Sequence, residues 1–600
     1  MRAATLLLVL GTLCLAAEPA SPSSVIVPDQ YPTVQGAIDS RAAFQLEPDT
    51  VFVRDGDYPE AIVCHGRDIP VHRRLVLLML PALDGHTGRT AMPRLSSFRA
   101  AGDVACTIRG FHFRGTVSFA TTGSLADFHL ESCRVDSGLT IGELVGPGYA
   151  NGLAYISGCQ IWSGVRFLHP AQFEFIGNTV IGDGVSGSYS GSGIVNENYI
   201  AGPAEAGIGV LEPGCSSACL QIEHNTVAGT TEGIVTYDAT VLDNTVVGCA
   251  SNAFHLYGGR ASFVRNRAVR CGGHGFLIEG SAQFNGNEVD SLGGDGIFMD
   301  GPVTVAADSN TIRNVGGRGI AGLAVVSASL RANRILGVTG DAVDIVGQQS
   351  PTPGPTVAAI GNVIGHNGGR GVAISGSGIG ATLQSNTVYA CQGAGLVVDG
   401  ILSDTARVDH NIFAGNRGYG FEWSGTGPLA LDCNDWFGNT AGAVSGASPG
   451  PADLQVDPLF CRVDADSVRL MNDSPLLNAL GCGLIGALGE GCVDPATGTL
   501  TPGGPQAPAE HFSLALLPPV PNPARRGARI AYTLPSEMAV RVKVLDVAGR
   551  IVAELADGTQ AAGRHEVVWG GPATAARAGV YFVRLEAGGQ RFLRRTIITP

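Results

Sequence analysis

The chain alternates apolar and polar letters in short bursts that open on asparagine: NTVIG, NTVAG, NTVVG, NRAVR, NEVDS, NTIRN, NRILG, NVIGH, NTVYA and NIFAG. The leading asparagines are Asn178, Asn198, Asn225, Asn244, Asn266, Asn287, Asn310, Asn333, Asn362, Asn386, Asn411 and Asn434, at intervals of 19 to 29 residues. Two positions after each stands an apolar residue, from Val180 and Ile200 to Phe413 and Trp436, with Ala268 the smallest. One apolar residue between polar neighbours is the period of a strand. In ten repeats Gly or Ala stands nine positions after the asparagine and an apolar residue ten after, as in Gly296-Ile297 and Gly420-Phe421. The pattern predicts two short strands and a tight turn per repeat, and a repeat of this length predicts a solenoid.

A leucine-rich repeat has a similar period and also uses asparagine, but it needs a leucine ladder and often a helical return. Here Val, Ile and Gly dominate, and glycine-rich returns make poor helices. The pattern therefore predicts an all-β solenoid, a parallel β-helix in which each repeat is one rung and like residues stack about 4.8 Å apart. Asparagines at one turn, Asn225 through Asn411 above all, then form an amide ladder that satisfies polar backbone buried in the turn.

The opening SSVIVPDQYPTVQGAIDSRAAFQLEPDTVFVRDGDYPEAIV resembles the N-terminal strand, capping helix and first rung of the right-handed parallel β-helix, or pectin-lyase-like, superfamily. The capping helix is expected in TVQGAIDSRAA, with Val34, Ala37 and Ile38 closing the open end of the core. Weaker rungs are expected around Cys133 and Cys159, each in the asparagine slot. The segments DPLF, SPLLNAL and GLIGALGEGC resemble that family's C-terminal closure. The β-helix is assigned to residues 24–493.

Composition adds to this picture. Eighty-six glycines with 6% aromatic residues suit a thin, repetitive molecule better than packed globules. Residues 1–17, with Met1-Arg2 before the apolar run TLLLVLGTLCLAA, read as a signal peptide, so the mature chain is expected outside the cell or on its surface. Cys14 follows Gly11-Thr12-Leu13, a poor lipobox. No other apolar stretch is long enough to cross a bilayer. Cys215 and Cys219 are the expected local disulfide; Cys249 and Cys271, five residues after successive repeat asparagines, are a second possible pair. No Cys/His cluster has zinc spacing.

Residues 494–510 form a Pro/Gly/Thr linker. Residues 511–600 then read as alternating strands, and PNP, YTLP, LDVAGR and AGVYFVRL resemble small Ig-like β-sandwiches of flagellar hook-assembly and type IX secretion sorting domains. The resemblance implies secretion machinery as a partner. The last ninety residues hold 12 basic and 6 acidic side chains against 26 and 46 before them, and a strongly acidic body excludes nucleic acid as a natural partner.

Gly273-His274-Gly275 resembles the histidine motif of polygalacturonases. The Asp-Asp pair of that pattern is missing, and Arg334-Ile335-Leu336 lacks its lysine. Eight positions after their asparagines the other repeats carry Ala206, Asn252, Asp295, Arg318, Asp341, Arg370, Ala394 and Tyr419, so His274 reads as one occupant of a variable turn position. Asp295, Arg318, Asp341 and Arg370 are expected to alternate as a solvated ion-pair ladder. With His274 and Tyr419 they could also line a shallow groove for an extracellular polysaccharide. As catalytic candidates Asp295 and Asp341 stand two rungs apart, near the upper limit of inverting-glycosidase spacing, but Arg318 between them opposes the raised pKa of a general acid. A lyase would need a calcium-binding carboxylate cluster and a base, for which Asp295, Asp300 and Arg318 are the nearest set. The favoured expectation is a carbohydrate-binding or adhesion scaffold without turnover; the alternative is a polysaccharide lyase or glycoside hydrolase.

Overall fold

The computed structural model describes residues 24–492 and 514–598 except 42–48, 66–73, 81–91, 102–104, 121–126, 143–152, 169–171, 190–191, 214–219, 349–354, 403, 464–465, 517–518, 520–523, 525–526, 547–548, 562 and 571–578. The expected signal peptide, the linker and the Cys215–Cys219 pair lie outside the described residues. The chain divides into two compact units, Met1–Gly498 and Thr499–Pro600.

The first unit is a parallel β-helix. A typical rung runs through the strands Arg260–Val264, Arg267–Val269 and Phe276–Ile278, and each pairs in parallel with its counterpart one rung on: Ser281–Asn285, Glu288–Asp290 and Ile297–Asp300. The strands are short because each rung turns sharply twice. Arg265, just before Asn266, has φ 50°, and Arg270, four after it, has φ 54°. The left-handed region recurs at both places along the stack, with glycine at only some of them. Such a conformation is costly for most side chains, so it persists only where the surrounding structure fixes it.

At the first of these turns the amide ladder fixes it. The Oδ1 of Asn287 accepts the backbone N–H of Asn266 at 2.8 Å and its side-chain Nδ2 at 3.1 Å. The Nδ2 of Asn287 donates to the carbonyl of Phe263 at 2.9 Å and to Asn310 Oδ1 at 2.9 Å. The Asn287 amide thereby makes four hydrogen bonds, its full capacity. The pattern runs unbroken from Asn178 to Asn434. Cys159 and Cys133 extend it upstream, since Cys159 N–H donates to Asn178 Oδ1 and Cys133 N–H to Cys159 Sγ. Downstream it ends on Asp453, whose carboxylate accepts both donors of Asn434.

Apolar residues two after each asparagine point inward and are buried, and aromatic rings stack between rungs, Phe254 on Phe276 at 4.8 Å and Phe413 on Trp436 at 4.8 Å. The N-terminal end is covered by the helix Val34–Arg41, which buries Val34, Ala37 and Ile38. Glu60 holds its first turn by accepting the N–H groups of Val34 and Gln35. Cys249 and Cys271 are bonded to each other; Cys433–Cys482 and Cys461–Cys492 are two further disulfides that spacing did not suggest.

The C-terminal segment differs from a simple closure of the stack. Its strands Phe460–Arg462 and Ser467–Met471 and the stretch 476–488 share an apolar cluster with Leu336, Val363, Tyr389 and Ile412, outward residues of four earlier rungs. It folds back along the flank, where it buries those apolar side chains. Tyr389 Oη bonds Asp466, Gly486 N–H donates to the carbonyl of His410, and Cys482 ties the segment to Cys433.

The second unit consists of a three-stranded and a four-stranded antiparallel sheet. They share one core that includes Ile530, Tyr532, Val542, Val544, Val583 and Leu585.

Candidate functional site

The residues eight after each asparagine do form a file. Backbone N–H groups of Gly233, Ala253, Gly275, Gly296, Gly319, Ala342, Gly371 and Gly395 donate to the carbonyls of Asn252, His274, Asp295, Arg318, Asp341, Arg370, Ala394 and Tyr419, each one rung on. His274, Asp295, Arg318, Asp341 and Arg370 therefore occupy successive rungs. Tyr419 stands two rungs past Arg370, beyond Ala394, with its ring over Gly442.

The file is not an evenly alternating, solvated ion-pair ladder. Its side chains lean toward the following rung, and those with an acceptor use it on that rung's backbone. Asn252 Oδ1 accepts His274 N–H at 3.0 Å, His274 Nδ1 accepts Asp295 N–H at 3.0 Å, Asp295 Oδ1 accepts Arg318 N–H at 2.6 Å, and Asp341 Oδ1 accepts Arg370 N–H at 2.6 Å. A guanidinium has no acceptor, so Arg318 breaks the series. It turns back to Asp295 at 2.9 Å and across to Asp344 at 2.9 Å rather than on to Asp341. Asp341 is held by Arg370 at 2.6 Å. Asp295 is buried, at 6% exposure, which a solvated face would not allow.

Electrostatics follow the geometry. Burial pulls the Arg318 pKa down, but the bonds to Asp295 and Asp344 outweigh it and hold the group above its ordinary value. The bond to Asp341 raises Arg370 against a smaller burial effect. Burial lowers the pKa of His274; Arg318 adds to the lowering and Asp295 opposes it. The bond to Asp295 N–H needs an unprotonated Nδ1, so His274 is fixed as the neutral Nε2–H tautomer. Its ring stacks on Phe298 at 4.9 Å, and Arg318 lies over the same ring at 5.6 Å.

Phe298, Asp344 and His255 escaped the sequence reading, although each stands eleven after its asparagine, directly after the inward apolar residue. Strand alternation puts that position outward, and that was the available signal. His255 lies 3.4 Å from Glu232 and 3.8 Å from Glu279. Glu232 also accepts from Asn252, and the bonds from His255 first and Asn252 second lower its pKa against the opposing effect of burial. Asp295 and Asp300 share no carboxylate cluster, and among the described residues no group of three or more His, Cys, Asp or Glu is placed to hold a metal. Asp300 is exposed at the end of its strand.

These features define the chain's long unit as a right-handed parallel β-helix. The family described as right handed beta helix region matches residues 261–400, the rungs that carry the charged file. Among solved structures the chain is similar to the A-module of the mannuronan C-5 epimerase AlgE6 of Azotobacter vinelandii, at 13% identity, with a TM-score of 0.21, over 70% of this chain and 93% of that one. No curated protein matches the sequence significantly.

Proposed function

We propose that the chain is a secreted or cell-surface β-helix that binds polysaccharide along its outward face without turning it over, with the C-terminal unit as an Ig-like module for sorting or attachment. The observation that carries this reading is the pairing of the charged file. Asp295 and Asp341, the two carboxylates the sequence offered for hydrolysis, are each bound through both backbone and side chain of an arginine, so both oxygens of each are taken up within the protein rather than presented to a substrate. Arg318 and Arg370 are in turn fully charged and unsuited to act as a base.

The full chain, incubated with acidic and neutral polysaccharides with and without calcium, is expected to retard in polysaccharide-containing gels while producing neither unsaturated ends nor new reducing ends. Turnover that disappears in Asp295→Ala or Arg318→Ala would replace this reading with that of a polysaccharide lyase or glycoside hydrolase.

A further inference from the structure

Beside the charged file, the register Leu256–Ile278–Met299 places Tyr257, Glu279 and Asp300 one after another, and His255, Leu277 and Phe298 form the neighbouring outward file. Tyr257 is 57% exposed, unusually open for a large aromatic residue, and its ring lies 5.9 Å from that of His255. Two rungs on, Phe298 carries His274 on its ring and Arg318 over it. Aromatic faces thus recur two rungs apart along the axis, with carboxylates around them.

The charges on this face are one-sided. Arg318 and Arg370 already hold Asp295, Asp344 and Asp341. Glu232 and Glu279 have only His255 between them, and Asp300 makes no ion pair among the described residues. Arg260 begins the adjoining sheet, past the Gly258-Gly259 turn. A polyuronate laid here would set its carboxylates against Glu279 and Asp300 with no cation of the face left to receive them. Hydroxyl groups suit the same acceptors, and the apolar face of a pyranose suits an exposed tyrosine ring.

We infer that the face formed by Tyr257, Glu279, Asp300 and the Phe298–His274 ledge binds an uncharged glycan running along the helix axis, the rung repeat being close to the length of one sugar in an extended chain. The inference rests on the proposed polysaccharide-binding role and narrows it to neutral chains.

Affinity gels of the full chain with laminarin, hydroxyethylcellulose, alginate and polygalacturonate, at low and high salt, test it. At least one neutral polymer is expected to retard the protein with little dependence on salt, Tyr257→Ala to weaken that binding about tenfold, and Tyr257→Phe to keep it. The tyrosine is exposed, so its loss leaves the core intact, and an unchanged melting temperature checks this. Tighter binding of alginate or polygalacturonate, or neutral binding indifferent to Tyr257→Ala, overturns the inference and leaves the polysaccharide reading standing. Binding to none of the four removes both.

Discussion

Two files of side chains climb the same rungs and solve the same problem in opposite directions. In the asparagine file each Oδ1 reaches back to the N–H of the preceding rung, as Asn310 does to Asn287; in the charged file each acceptor reaches forward, as Asp295 does to Arg318. An amide offers two donors and an acceptor with two lone pairs, so an asparagine can bond its neighbours on both sides and the same residue can serve every rung. A carboxylate or a neutral imidazole bonds only forward, and a half-buried carboxylate also needs a cation. That requirement breaks the second file into separate groups, Asn252–His274–Asp295–Arg318 and Asp341–Arg370, and explains why its letters vary while the first file's do not.

The largest expected effect comes from the self-sufficient file. Asn310→Ala leaves Asn287 N–H and Nδ2 without their acceptor and the carbonyl of Phe284 without its donor, all in buried surroundings. At about 1–3 kcal/mol for each unsatisfied group, with partial relaxation, a loss on the order of 3–5 kcal/mol is expected in urea unfolding. A loss below about 1 kcal/mol would mean that water replaces the ladder and that the contrast between the files is wrong.

Next is Asp435, which shows the fate of a buried carboxyl with no cation. It is fully buried, with Val456 N–H on Oδ1 and no partner on Oδ2; burial first, and Asp457 after it, raise its pKa to about 7 against the hydrogen bond from Val456. The folded pKa lies above the unfolded one, so between about pH 4 and 7 the native state holds the extra proton and stability falls as pH rises. At about 1.4 kcal/mol per unit, the native state is expected to lose about 2–4 kcal/mol between pH 4 and pH 8 from this group. Asp435→Asn, which keeps the acceptor for Val456, should remove that slope and raise the melting temperature at pH 8. An unchanged slope would place the pH dependence elsewhere.

The stack, the twelve-residue ladder and its continuation through Cys133 and Cys159 were legible because a parallel β-helix converts sequence period directly into spatial register. The charged file was legible as a file for the same reason, but not its bonding: spacing tells which residues are neighbours, not that Arg318 has nothing to offer Asp341 and turns to Asp344 instead. The folded-back C-terminal segment was missed although the chain carries its trace. One position after the asparagine, the outward letters are Arg267, Glu288 and Thr311 in the middle rungs, then Val363, Thr387 and Ile412 where the segment covers them, all three buried. Polar letters giving way to apolar ones at a solvent-facing position signal a cover, and Asp435 is the next residue in that file.

The smallest effects divide the charged file into its two roles. Asp295→Ala removes both the acceptor for Arg318 N–H and the charge beside the guanidinium, and is expected to cost about 2–3 kcal/mol, moderated because Arg318 keeps Asp344 and part of its solvent contact. Asp295→Asn keeps the acceptor and loses only the charge, so about 1 kcal/mol is expected. Arg313→Ala, on the exposed short-strand face where Arg313 meets Glu288 and Asp290, sets the scale for a plain surface pair at below about 1 kcal/mol. If urea unfolding gives Asn at position 295 nearly the wild-type stability, the turn file is first a one-way hydrogen-bond ladder to which charge was added. Asn as damaging as Ala would reverse that order, since the acceptor is intact in one variant and gone in the other, leaving the ion pair as the only loss they share.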